Sequence, residues 1–154
     1  MRCFFIYLAF CAWGLLLPSS AKAQLPDPTQ WNYRVVNTGK GQYDLVFSLK
    51  LQTGWHIWSI TPGGDGTLIA PTFTFKKHTD YQLVGTVKQA GSLKTELMEG
   101  IDGKVNFYSD SVTYTQHITA KPGISIVGTH EYQVCNNQMC LPPKDVDFVF
   151  KIVN

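Results

Sequence analysis

The sequence predicts an all-β sandwich. Three observations carry this: one long stretch alternates strictly between apolar and polar residues, short β-rich runs recur with turn residues between them, and no amphipathic helical stretch of useful length is present. The clearest element is residues 42–51, where Tyr43, Leu45, Phe47, Leu49 and Leu51 alternate with Gln42, Asp44, Val46, Ser48 and Lys50. A period of two puts alternate side chains on opposite faces of a strand, so one face here is apolar. Residues 31–37 read as its hairpin partner across Thr38-Gly39-Lys40-Gly41. Downstream, Thr53-Gly54 turns the chain into a third strand over 55–60, and the three are expected to form a meander. Residues 61–67 contain Pro62, Gly63, Gly64 and Gly66 and read as a loop. Further strands are expected over 72–76, 81–87, 94–98, 105–108, 112–119, 125–134 and 146–153, with the lengths and spacing of a β-sandwich. Pro26 and Pro28 mark a short lead-in, and the chain has no internal repeat.

Residues 1–23 read as an export leader. Arg2 supplies a positive start, Phe4 to Leu17 is a run of 14 residues without a charge, and Ala21-Lys22-Ala23 fits the small-x-small pattern of a cleavage site. The run is shorter than the roughly 20 residues a spanning helix needs. Bulky Phe10 before Cys11 argues against a lipoprotein signal. Cleavage after Ala23 leaves residues 24–154, a single domain long enough to bury a core without metals or disulfides. Of the 13 Lys and Arg residues, Arg2 and Lys22 leave with the leader, so eleven face 11 Asp and Glu in the remainder. A balance near zero without a basic run excludes nucleic acid and anionic membrane surfaces as natural partners. The expected location is the periplasm or the exterior, with no membrane insertion after cleavage.

Cys3 and Cys11 are also lost with the leader, which leaves Cys135 and Cys140. A lone pair in an exported chain is expected to bond internally. The two flank Asn136-Asn137-Gln138-Met139, a loop of ordinary hairpin length between two expected strands. Facing positions on such strands lie about 4.5 to 5.5 Å apart at Cα, within reach of a disulfide. A bridge closing so short a loop constrains the unfolded chain by roughly 2 kcal/mol, against nearly 5 for a loop of a hundred residues. The short span therefore points to a bond placed to be exchanged, which needs no cofactor and no metal. Two other readings compete. One is a secreted binding module in which the bridge is a local staple. The other is a Cu(I) site drawing on Cys135, Met139, Cys140 and His130, all soft or borderline ligands.

The loop holds no cation; Lys144 lies beyond Cys140 and His130 before Cys135. Pro142 and Pro143 stiffen the backbone just after Cys140 and lack amide donors. His56, His78 and His117 have no ligand-like spacing to the cysteines. Trp55, Trp58, Tyr108 and Tyr132 read first as core or sheet residues. Trp55 and Trp58, three apart on a strand, should point to opposite faces, so that one can line a site.

Tyr132-Gln133-Val134-Cys135 followed by Cys140-Leu141-Pro142-Pro143 resembles the N-terminal periplasmic domain of the thiol:disulfide interchange protein DsbD, and Gly54 to Trp58 is similar to the aromatic strand beside its site. The resemblance implies an immunoglobulin-like β-sandwich with both cysteines near one edge, shielded by a cap loop. It implies a redox-active pair in which Cys140 forms mixed disulfides and Cys135 resolves them. By the same resemblance the cap is Met98, Glu99, Gly100, Ile101, Asp102 and Gly103, with Trp55, Trp58 and Tyr132 around the site. In the family, electrons arrive from a thioredoxin-like domain fed by a membrane segment and pass to periplasmic disulfide-containing proteins. Those two segments are not in this sequence, so the expected donor is a separate thioredoxin-like or membrane protein.

Overall fold

The computed structural model describes residues 27–153; the expected leader and its cleavage point lie outside the described residues. Every regular element described is a strand, and every pairing is antiparallel. Strands β1 (Thr29–Gly39), β2 (Gln42–Leu51), β8 (Ser111–Ala120) and β5 (Tyr81–Gly91) form the first sheet in the order β1-β2-β8-β5. The second sheet runs β10-β3-β7-β6, from β10 (Val134–Cys135), β3 (His56–Gly63), β7 (Lys104–Tyr108) and β6 (Lys94–Leu97). A third, β11-β9-β4, combines β11 (Lys144–Lys151), β9 (Ser125–Tyr132) and β4 (Thr72–Phe75). The architecture is an immunoglobulin-like β-sandwich. Among the described residues no helix is long and apolar enough to cross a membrane.

The alternation in residues 42–51 does what its period requires. Tyr43, Leu45, Phe47, Leu49 and Leu51 are all buried, and β1 closes on β2 through a turn in which Gly39, Lys40 and Gly41 all have positive φ. The third strand of the expected meander goes elsewhere. β2 takes β8 as its second neighbour, while β3 crosses to the other layer and pairs with β10 and β7. With a polar, glycine-containing turn before it, β3 was locally free to follow β2. Its own sequence explains why it does not: Ile57, Trp58 and Ser59 are buried on consecutive positions, a strand covered on both faces, which an edge position beside β2 would leave half exposed. β3 also runs through Thr61 and Pro62 to Gly63, three residues into what reads as a loop, across a register shift between Trp58 and Gly63.

The main core lies between the layers. Phe47 of β2 meets Phe148 and Phe150 of β11 edge-on, with ring centroids 5.0 Å away in each case, and Phe73 of β4 at 4.8 Å. His130 of β9 is fully buried among these rings, its Nε2 2.8 Å from the Tyr33 hydroxyl. Burial pushes its pKa down to about 4. At Gly128 a Cβ would run into the Thr74 carbonyl oxygen and the Phe148 ring, so only glycine lets β4, β9 and β11 approach this closely. The second sheet is covered on both faces. Ile57, Tyr108 and Val134 belong to the main core, whereas Trp58, Val105, Phe107 and Cys135 form a separate cluster on the opposite face.

Candidate functional site

The cysteines sit where one expected strand breaks in two. Residues 125–134 read as continuous, but β9 stops at Tyr132 in the third sheet and β10 begins at Val134 in the second. Across the ladder from this point lie Pro142 and Pro143, which have no amide hydrogen to donate. The β9–β11 ladder therefore ends at the Tyr132–Lys144 pair, and Gln133 bridges the corner by donating from its side-chain amide to the Leu141 carbonyl at 3.0 Å. Freed from β11, Val134 and Cys135 pair with Ile57 and His56 of β3, making β10 the edge strand of its sheet.

Cys135 and Cys140 face each other and are bonded, with Cα atoms 3.9 Å apart. The amide of Leu141 donates to the Val134 carbonyl at 2.9 Å and that of Asn136 to the Met139 carbonyl at 2.8 Å. These bonds flank the cysteines on either side, so the pair occupies a non-hydrogen-bonded position, the closer of the two antiparallel pairings. The 3.9 Å separation thus lies toward the close end of the roughly 4.5–5.5 Å anticipated from facing strands, and a little below it. Asn136 closes the intervening turn, its Oδ1 accepting from the amides of Gln138 and Met139, each at 2.8 Å.

The two sulfur-bearing residues have different surroundings. Cys135 is 2% exposed, packed with Trp58, Val105 and Phe107; Cys140 is exposed at the head of Leu141-Pro142-Pro143. Directly opposite Cys135 on β3 is His56, on the same face as Trp58. Its ring lies 4.8 Å from Trp58 and 5.1 Å from Phe107, centroid to centroid, and its buried Nε2 has no hydrogen-bond partner. Burial lowers the His56 pKa, opposed by the negative charge of Glu96.

Residues 98–103 connect β6 to β7, with Gly100 and Gly103 both at positive φ. Met98 and Ile101, together with Leu68 from the β3–β4 connection, pack against the cluster that holds Cys135. Glu99 and Asp102 face outward. Gly64 lets this hairpin close down: a Cβ there would lie 3.0 Å from Ile101 Cγ2 and 3.3 Å from Val105 Cγ1. Two grooves flank the cysteine hairpin. One, of about 380 Å³, runs between Trp55, His56, Met98, Phe107 and Asn137; the other, of about 320 Å³, lies on the far side of Leu141-Pro142-Pro143 against Tyr132 and Val134.

Trp55 and Trp58 do part, Trp55 packing on the main core and Trp58 beside Cys135. Tyr132 lies in the main core with its hydroxyl 3.0 Å from that of Thr29, and Tyr108 is there too. The cation and the histidine nearest the cysteines in sequence are engaged elsewhere. Lys144 is held 2.7 Å from the Asp27 carboxylate, and His130 stands in the aromatic core, apart from the cysteine cluster and from exposed Met139. The Cu(I) ligand set read from the sequence is thus not assembled. His56 and Phe107 were missed as neighbours of Cys135. The alternation of His56 with Trp58 was visible, but the pairing of β3 with β10 was not.

Fold and site together define an immunoglobulin-like domain that carries a disulfide on an edge hairpin, half buried beneath a neighbouring hairpin. The family described as thiol:disulfide interchange protein DsbD, N-terminal, matches residues 21–151, and the chain belongs to it. Among solved structures, the N-terminal periplasmic domain of ScsB from Proteus mirabilis superposes with a TM-score of 0.63 at 16% identity, over 82% of this chain and 47% of that one. This chain thus spans about half the length of that domain. The N-terminal domain of DsbD from Neisseria meningitidis in the reduced form gives a TM-score of 0.50 at 13% identity, over 79% of this chain and 84% of that one. No curated protein sequence matches.

Proposed function

We propose that this chain is an exported thiol–disulfide exchange protein in which the Cys135/Cys140 dithiol passes electrons to or from other proteins of the periplasm. The observation that carries this reading is the asymmetry of the bridge: an exposed Cys140 bonded to a Cys135 buried in a cluster against which Met98 and Ile101 pack. A staple has no use for such asymmetry. Exchange does, because a partner must reach one sulfur while the other is kept from side reactions. In the reduced form the Cys140 thiolate attacks one sulfur of a partner disulfide, and the partner's other sulfur leaves as a thiolate. Cys135 then attacks Cys140 Sγ, the internal disulfide closes, and the partner's remaining thiolate is released. Two electrons pass from the dithiol to the partner, and the same steps in reverse recharge it. A separate thioredoxin-like or membrane protein supplies those electrons, and periplasmic disulfide-containing proteins receive them. The grooves beside Met98 and beside Pro142 offer apolar surface for docking on both sides of the hairpin.

Trapping tests the reading. Cys135→Ser leaves the exposed nucleophile without its resolving partner, so it should accumulate dithiothreitol-sensitive covalent complexes in a periplasmic extract. Cys140→Ser should not. Trapping only by Cys140→Ser reverses the two roles, and trapping by neither variant returns the bridge to a staple.

A further inference from the structure

We propose that His56 is the proton acceptor for Cys135, the thiol that closes the disulfide; the inference rests on the exchange cycle above and assigns one step within it. Cys135 poses a specific problem. It is 2% exposed and walled by Trp58, Val105 and Phe107, with Met98 and Ile101 packed over that cluster. Such surroundings disfavour a thiolate and exclude the water that would otherwise take the proton. Cys140, being exposed, needs no such help.

One side chain is placed to meet the need. His56 and Cys135 are directly opposed across the β3–β10 ladder, which sets their side chains on one face with Cβ atoms about 4.5 to 5.5 Å apart. The ring is 8% exposed and held by Trp58 and Phe107, yet its Nε2 has no partner. A buried nitrogen left unpaired costs stability that phenylalanine at this position would avoid. Its surroundings also bear on charge. Glu96 and Lys94 of β6 and Asp110 after β7 line the same groove as His56, and Glu99 and Asp102 of the covering hairpin are exposed. Glu96 favours the imidazolium, and burial favours the neutral ring while the cysteines are bonded. The ring therefore waits as a free base and gains a counter-ion when the Cys135 thiolate forms.

The step balances as follows. With Cys140 joined to a partner sulfur, the Cys135 thiol gives its proton to the imidazole and the thiolate attacks Cys140 Sγ. The Cys135–Cys140 bond forms, the bond from Cys140 to the partner breaks, and the partner sulfur departs with the electron pair. The imidazolium returns the proton to that thiolate by way of solvent.

Reduced full-length mature chain mixed with dithiobis(nitrobenzoate) separates the two half-reactions. The first thionitrobenzoate released reports attack by Cys140, and the second reports closure by Cys135. At about pH 7, His56→Gln is expected to leave the first release unchanged and slow the second about a hundredfold, the low end of general-base effects. The rates should converge at high pH, where hydroxide takes the proton directly and the base is no longer needed. His56→Phe, which keeps the aromatic packing, should behave as His56→Gln does. An unchanged second release, a second release slowed equally at every pH, or a change in the first release would each overturn the assignment. Absence of a second release from the unmodified protein would instead sink the exchange reading itself.

Discussion

Reducing the Cys135–Cys140 bond is expected to lower the stability of the domain by about 2 kcal/mol while the sandwich stays folded. The loop it closes has six residues, counting both cysteines. The loop-length relation puts the entropy restored to the unfolded chain at roughly 7 cal/mol/K, or about 2 kcal/mol at room temperature. Little else depends on the bond. Neither cysteine belongs to the main core, and the hairpin keeps its flanking hydrogen bonds from Leu141 and Asn136. Val134 and Leu141 remain buried beside it. For a domain of this size 1 kcal/mol corresponds to about 3 to 5 °C, so the melting temperature should fall by roughly 6 to 10 °C. Thermal unfolding followed by circular dichroism, on oxidised protein, on protein reduced with a phosphine and on Cys135→Ser/Cys140→Ser, measures this. Loss of the near-ultraviolet signal on reduction, with a bridge potential well below about −300 mV, would refute the reasoning and make the bond a structural staple.

Ile101→Ala removes apolar contact from the hairpin over Cys135, worth about 1 to 2 kcal/mol. It should raise the rate at which iodoacetamide alkylates Cys135 in a Cys140→Ser background about tenfold, with faster hydrogen exchange confined to residues 98–103; unchanged rates would remove the cap from the account. His130 makes the fold acid-sensitive. Burial depresses its folded pKa to about 4, well below the ordinary histidine value of about 6.5, so the unfolded chain takes up the proton first. Its contribution is fully present above about pH 6.5 and is lost as pH falls towards 4, by roughly 3 kcal/mol. His56, lowered by the same cause, acts in the same direction. Melting temperatures at about pH 7.5 and 4.5 should diverge, and His130→Phe should narrow the gap; an equal drop in both proteins would contradict this. Exported protein should begin at Gln24, and an intact mass retaining residues 1–23 would show that the leader is not cleaved there.

What could be read from the sequence is what short-range physics decides. The two-residue alternation of residues 42–51 determines which side chains are buried, because a strand has only two faces, and Gly39-Lys40-Gly41 determines the hairpin with β1, because few residues tolerate that turn. Four residues between two cysteines, followed by a double proline, sufficed to place a facing pair on a stiffened hairpin. The resemblance anticipated that residues 98–103 lie near it, and the structure packs Met98 and Ile101 on the cluster that holds Cys135. Choice of neighbour was another matter. Whether β3 pairs with β2 or crosses to β10 and β7 depends on what covers its two faces, and those surfaces come from distant parts of the chain. The same non-local pairing breaks residues 125–134 at Gln133, moves β10 to a sheet edge, and sets His56 opposite Cys135. Burial of one cysteine and exposure of the other follow from that arrangement. A periodicity specifies which face of a strand is apolar, but only the assembled layers decide what that face meets, because the free energy of covering it is a property of both surfaces together.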